Sequence, residues 1–317
     1  MLRALLLVNP KATTTNQRTR DVLIRALGAA VRLDVTETRY RGHAAKLARE
    51  AARDGRYDVV AVLGGDGTIN EAVNGLLEDG PSPDRPALAM IPGGSANVFA
   101  RALGIPGNPV EATGVALEAL RSGSRRTVGL GRAAWSEAGE HTERYFTFCA
   151  GVGYDAEVVR AVEGLRGAGY RATPGLYVST ALRHYLMTDR RRAALTLTRP
   201  GHPGESGIFM AIVTNTAPWT YLGSRPVNPT PLSAFDAGLD LLGLSRLGLP
   251  SILNVVRQIV GERSTPLRGR RLVQVHDASE LALSSSRPIA FQLDGEYLGE
   301  AEKVTFYSIP DALQVLV

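Results

Sequence analysis

The chain has 317 residues, 44% hydrophobic and 21% charged, with a formal net charge of +5. That balance excludes a disordered or fibrous protein and belongs to an ordinary globular one of about two domains. No apolar run approaches the ~20 residues of a membrane-spanning helix, and a single cysteine, Cys149, excludes a disulfide framework or a cysteine-based zinc site.

Residues 2–8 read as a buried strand, and the opening MLRALLLVNP breaks too soon at Asn9-Pro10 to act as a signal peptide. A cytoplasmic location is the default expectation. The strand delivers a polar loop, Asn9-Pro10-Lys11-Ala12-Thr13-Thr14-Thr15, at its carboxyl end, where open α/β sheets bind ligands. Lys11 and the hydroxyls of Thr13 to Thr15 suit phosphate, although the stretch also reads as a solvated loop. A helix at 18–30, a strand at 31–36, a polar loop and a helix at 44–53 follow. His43, after Gly42, reads more readily as a local hydrogen-bonding residue than as a catalytic one.

Residues 58–77, DVVAVLGGDGTINEAVNGLL, organise the chain. A Val-rich buried strand runs into a helix on which Ile69, Ala72, Val73, Leu76 and Leu77 recur at helical spacing. Between them Gly64-Gly65-Asp66-Gly67-Thr68 leaves the main chain open to close approach, and a helix start with free N–H groups suits phosphate. A carboxylate there, Asp66, is repelled by phosphate unless a cation lies between, which points to metal-nucleotide chemistry and phosphoryl transfer. The plainer alternative makes Asp66 a helix-start acid and Thr68 with Glu71 a capping box.

A proline-rich connection at 81–86 precedes a short strand at 87–91, which ends in a second glycine-rich turn, Pro92-Gly93-Gly94-Ser95-Ala96-Asn97. Ser95 reads as N-cap of a helix at 98–103, and Asn97 as a hydrogen bonder facing the same cleft. A helix at 109–121 and a linker at 122–126 close the first domain. From 127 onward short β-rich runs at 144–150, 192–198, 207–215, 239–244, 272–276, 290–293 and 303–308 alternate with turns, as in a mainly antiparallel β domain. Helices interrupt it at 155–165, 176–185 and 251–260. Acid-bearing turns at Asp155, Asp236 and Asp294 to Glu296 follow strands; such turns are commonly structural, and the DGE sequence is the exception kept as chemical.

The segments GGDGTINEAVNGL, PGGSANVFARALGIP, GVGYDAEVV and LDGE, in that order, resemble the diacylglycerol kinase catalytic family, which includes bacterial soluble diacylglycerol kinases and the sphingosine and ceramide kinases. GGDGT alone is shared with NAD kinases and resembles phosphofructokinases, whereas the four together are specific. The resemblance implies an α/β nucleotide-binding domain like that of those two families at 1–126, to which residues 301–317 return. It implies a C-terminal, mainly antiparallel β-sandwich domain for the lipid at 127–300, with the active site in the cleft between them. By the same resemblance ATP is bordered by Asn9, Lys11, Ala12 and Thr13 and contacted by Thr38, Gly65, Asp66, Gly67, Thr68, Ile69, Asn70, Glu71 and Ser95. Glu296 is then the general base, with Asp294 beside it and Asp66 near a catalytic Mg²⁺. Asp236 with the carbonyls of Ser233 and Gly238 matches a structural Mg²⁺ site, and Asp155 falls where sphingosine kinases recognise the lipid headgroup. Two departures stand out: the usual NPxSG loop lacks its glycine here, and the usual DDG or DG turn reads Asp236-Ala237-Gly238.

The chemistry is consistent with that implication, because a lipid hydroxyl is a poor nucleophile and needs a carboxylate base and charge compensation on the transferring group. Diacylglycerol is the leading acceptor and phosphatidate the product. A sphingoid base, another lipid alcohol or an NAD-kinase-like small-molecule substrate is the alternative, as is a regulatory protein that binds nucleotide and lipid without turnover. A soluble lipid kinase meets its substrate at the inner face of a membrane, so transient contact is expected through basic segments at 166–171, 183–192 and 268–271. Nucleic acid is not an expected partner, since aromatic content is 6% and finger spacings are absent; a homodimer is allowed.

Overall fold

The computed structural model describes residues 1–12, 15–137, 139–167, 195–245, 248–259 and 265–317. Thr13, the helix expected at 176–185, the basic segment at 183–192 and most of that at 166–171 lie outside the described residues. The chain divides into two compact units, Met1–Leu130 with Pro310–Val317, and Gly131–Ile309.

In the first unit β1 (Arg3–Val8), β2 (Arg32–Glu37), β3 (Val59–Gly64) and β4 (Ala87–Pro92) form a parallel sheet in the order β2-β1-β3-β4. Beyond β4, Val315 at the end of β16 (Glu296–Val315) pairs with Leu88, also parallel. β3 and β4 are buried along their whole length, as strands covered on both faces must be. Leu6, Val8, Ala61, Leu63, Ala89 and Ile91 share one core with Leu23 and Leu27 of α1 (Gln17–Ala30), Ala119 of α5 (Pro109–Ser122) and Leu316. The alternate residues Leu5, Leu7, Val60, Val62, Leu88 and Met90 are equally buried.

The helices start as local rules require. Asn16 caps α1, and Asn108 caps α5 ahead of Pro109 in its first turn. α2 (His43–Asp54) has only Gly42 at its N-cap and no side chain to cap it. Glu71 of α3 (Asp66–Leu76) supplies the acceptors instead, taking the Gly42 N–H at 2.8 Å and the Ala44 N–H at 3.2 Å. This corrects the capping-box reading of Thr68 and Glu71: α3 already begins at Asp66, and Glu71 serves the neighbouring helix rather than its own. Likewise Ser95 is not the N-cap of α4 (Val98–Ala102); that position is Asn97, at φ 49°. His43 is the local residue expected, its Nδ1 accepting from the Arg39 N–H at 3.1 Å while the ring stacks on Tyr40.

The second unit is mainly antiparallel. β7 (Cys149–Gly153) lies between β10 (Met210–Thr214) and β15 (Glu280–Leu293). Beyond β10 come β13 (Leu239–Leu244) and β14 (Leu272–Ala278). β15 also pairs with β16 and with β8 (Leu195–Arg199), which carries β9 (His202–Ile208). β5 (Arg126–Glu137) and β6 (Glu140–Phe146) make a hairpin, and β11 (Thr220–Leu222) with β12 (Arg225–Val227) a small ribbon. α6 (Tyr154–Gly167) follows β7, and α7 (Leu249–Ile259) follows β13.

Several expected strands change shape. The linker placed at 122–126 gives way at Arg126 to β5, where Gly131 leaves room for the Phe146 ring, since a Cβ would stand 2.0 Å from it. The run at 144–150 breaks at Thr147 and Phe148, and that at 207–215 breaks at Phe209. The runs at 290–293 and 303–308 are parts of strands of 14 and 20 residues.

Candidate active site

In the first unit three loops meet at the carboxyl ends of β1, β3 and β4. The Gly93 N–H donates to the Gly64 carbonyl at 2.7 Å. A Cβ on Gly94 would stand 2.7 Å from the Gly65 Cα, and one on Gly93 would stand 2.9 Å from the Ala12 Cβ. These glycines are therefore needed for the loops to pack on one another. Gly67 differs, for nothing among the described residues lies within 4 Å of the Cβ it lacks, so the first turn of α3 leaves its backbone open on that side with no side-chain cap at Gly65. The N–H groups of that turn and the positive end of the helix suit an anion.

The sequence-derived candidates divide around this point. Asn9 donates from Nδ2 to Thr68 Oγ1 at 2.8 Å and accepts the Lys11 N–H at 2.9 Å, tying the first loop to the α3 start. Asp66 turns Oδ1 toward the Phe99 N–H of α4 at 3.3 Å. Asn97 does not face outward as expected. Its amide closes on Gly94, accepting the N–H at 2.9 Å and donating to the carbonyl at 2.8 Å. Ile69 and Asn70 are buried in the core, and Glu71 is engaged at α2, so their side chains belong to the scaffold. Thr38 lines a cavity of about 700 Å³ with Pro10, Val35, Thr36, Glu37 and Arg39.

In the second unit the Asp294-Gly295-Glu296 turn joins β15 to β16. Asp294, at φ 49°, places its carboxylate among four donors: the N–H and hydroxyl of Thr147 at 2.7 and 2.8 Å, and the N–H groups of Phe148 and Cys149 at 3.0 and 3.1 Å. Burial raises its pKa, and these donors work against the rise. Asp294 thus anchors the β6–β7 turn rather than standing free beside Glu296. The Glu296 carboxylate meets the Arg144 guanidinium at 2.6 Å.

Asp155, at the start of α6, is buried, and its pKa is pushed up to about 6 by loss of solvent, with only the Gln292 amide opposing. Gln292 Nε2 donates to Asp155 Oδ2 at 2.9 Å while its Oε1 accepts the Gly295 N–H at 2.8 Å, which fixes the amide orientation and links Asp155 to the DGE turn. Gly151 is required here, because a Cβ would stand 1.7 Å from Asp155 Oδ2. Burial, with the charges of Asp294 and Asp155, also pushes the Cys149 thiol well up, so it is no nucleophile. Arg144 and Gln292 carried no sequence signal, although Gln292 stands one residue ahead of LDGE.

The turn expected to hold a structural cation has exposed Asp236, while the Ser233 carbonyl accepts the Ala217 N–H at 3.2 Å and the Gly238 N–H is bound by Asp277 at 2.6 Å. Its donors are all oxygen, the chemistry Mg²⁺ prefers, with one carboxylate among them. Among the described residues no group of three or more His, Cys, Asp and Glu is gathered for a metal. Nor is any helix there long and apolar enough to cross a membrane.

Residues 3–133 match the model of the diacylglycerol kinase catalytic domain. The chain is 27% identical to the diacylglycerol kinase of Bacillus subtilis over 307 residues, covering 94% of this chain and 91% of that one. The crystal structure of a diacylglycerol kinase from Bacillus anthracis superposes with a TM-score of 0.70 at 22% identity, over 99% of this chain and 96% of that one. An NAD kinase from Archaeoglobus fulgidus in complex with ATP superposes with a TM-score of 0.52 at 10% identity, over 100% and 94% of the two chains. The α/β unit followed by a mainly antiparallel β unit is thus the fold of diacylglycerol and NAD kinases.

Proposed function

We propose that this chain, whose residues 3–133 match the diacylglycerol kinase catalytic domain and which resembles a diacylglycerol kinase over 94% of its length, is a kinase that transfers the γ-phosphate of ATP to a lipid hydroxyl, with diacylglycerol as acceptor and phosphatidate as product. The observation that carries this reading is the uncapped start of α3, open over Gly67 and set among three converging loops. Asn9, Lys11, Ala12 and Thr13 of the first loop, Thr38, backbone groups of Gly65 to Thr68, and Ser95 would hold the nucleotide, and Asp66 a Mg²⁺. When bound, that cation offsets negative charge on the transferring phosphoryl group.

The remaining roles belong to the second unit. Glu296 takes the proton from the lipid hydroxyl, and Arg144 holds its carboxylate in place by the 2.6 Å ion pair. Asp294 holds the turn that carries Glu296, and Asp155, oriented by Gln292, accepts a hydrogen bond from the lipid headgroup. Asp236 with Ser233 and Gly238 would hold a second, structural Mg²⁺.

The test is transfer of labelled γ-phosphate from ATP with Mg²⁺ to a panel of lipid alcohols in mixed micelles, with NAD as a further acceptor. Selective labelling of diacylglycerol, lost in Asp66→Ala and in Glu296→Gln while Glu296→Gln still binds ATP, is the expected result. Labelling of NAD alone, or full activity of Glu296→Gln, overturns the reading or the role of the base respectively.

A further inference from the structure

We propose that α7 and the arginine segment pinned beside it form a docking surface for an anionic phospholipid bilayer. α7 buries Val255 against Leu242, Leu244 and Leu267, with Ile252 and Ile259 packed alongside. Its opposite side carries Leu253, 60% exposed, Val256, 45% exposed, and exposed Arg257, spaced three and four residues apart and so on one face. A solitary exposed leucine is ordinary. Here two aliphatic side chains and a cation share a face that nothing among the described residues of the second unit covers.

The neighbouring segment makes this a built surface. Arg268, Arg270 and Arg271 are all exposed. Gln258 holds Arg268 by both main-chain groups, donating to its carbonyl at 2.9 Å and accepting its N–H at 2.8 Å, and Asn254 donates to the same carbonyl at 3.2 Å. Gln274 donates to the Leu267 carbonyl at 2.9 Å, and Ser245 to that of Arg271 at 3.0 Å. The polar residues of α7 thus fix a basic strip alongside its apolar face.

Charge decides the occupant. Residues 249–259 and 265–276 contain four arginines, Arg257, Arg268, Arg270 and Arg271, and no Asp or Glu. Aliphatic groups that enter the headgroup boundary, flanked by arginines that remain at the phosphates, are the two signals that hold a protein reversibly on an anionic surface. This inference rests on the lipid-kinase reading for its purpose, since a substrate dissolved in a bilayer has to be met there.

The experiment is co-sedimentation of the full chain, without nucleotide, with phosphatidylcholine vesicles that contain or lack phosphatidylglycerol, over a salt series. Binding to the anionic vesicles alone, weakening with salt, is expected. The pair Leu253→Ser and Val256→Ser weakens it about tenfold, and the triple Arg268→Gln, Arg270→Gln and Arg271→Gln about a hundredfold, at about fivefold per arginine. Both variants keep wild-type turnover on a dispersed short-chain diacylglycerol, which also shows that they fold. Wild-type-like vesicle binding by both variants, or salt-independent binding, overturns the proposal. Conversion of a wild-type dimer to a monomer by either variant also overturns it, by making the face a subunit interface. Failure of the kinase reading shows separately, as absence of labelling of the dispersed lipid by the wild-type chain.

Discussion

Asp155 and Asp294 are each 8% exposed, yet one carboxylate has four donors and the other a single amide. The difference leaves Asp294 fully engaged and Asp155 with little to offset its burial. Because the folded-state pKa of Asp155 is about 6 against an ordinary 3.8, the folded chain binds its proton more tightly than the unfolded chain does. The stability this contributes is full below about pH 4 and is lost as pH rises through about 6, worth at most about 3 kcal/mol. Asp155→Asn keeps an acceptor for Gln292 and removes the titration. Its stability, measured by urea unfolding at pH 5 and pH 7.5, should therefore fall less between the two than that of the parent, while lipid turnover drops. Asp294→Asn should instead cost stability directly. The amide tolerates the φ of 49°, but its NH₂ would face backbone N–H groups, so unfolding in urea should show a loss of about 2–4 kcal/mol.

α2 and α3 lean on each other through two features that no local pattern reveals. Glu71 supplies the acceptors that Gly42 cannot, so a residue with good capping-box spacing caps a helix 27 and 29 residues away in sequence. Gly75 sits in the last turn of α3, and a glycine within a helix ordinarily weakens it. Its missing side chain lets the Ala45 carbonyl approach to where a Cβ would be only 2.1 Å away. Gly75→Ala, which improves helix propensity, should nonetheless destabilise the chain by about 1–3 kcal/mol, read from the denaturant midpoint. A rise in stability would mean that the two helices separate without cost. The glycine-rich turns were legible for a related reason: clustered glycines in a strand-to-helix turn announce close approach, whether by a phosphate or, as at Gly93 and Gly94, by another loop.

At the scale of the molecule, the first unit is completed by residues from the far end of the chain. Leu313, Val315 and Leu316 are at most 2% exposed, and the Leu316 N–H donates to the Leu88 carbonyl at 2.9 Å. Deleting residues 310–317 should therefore remove core from the α/β unit rather than trim a surface tail. Each buried aliphatic side chain is worth about 2 kcal/mol, enough together to unfold a marginal domain. Thermal unfolding of the deletion should show an early transition absent from the parent; an unchanged profile would make the last eight residues dispensable.

The sequence by itself determined the parallel strands, the helices between them and the glycine turns at their carboxyl ends, because these follow from periodicity and backbone freedom within a few residues. It also marked the acids of the DGE turn. Only the tertiary structure decided what those acids touch. Arg144 lies 152 residues from Glu296, Thr147 lies 147 from Asp294, and Gln292 lies 137 from Asp155. Antiparallel pairing brings such residues together through register between distant strands, and a register set by β-bulges and long strands leaves no imprint in the local order of residues.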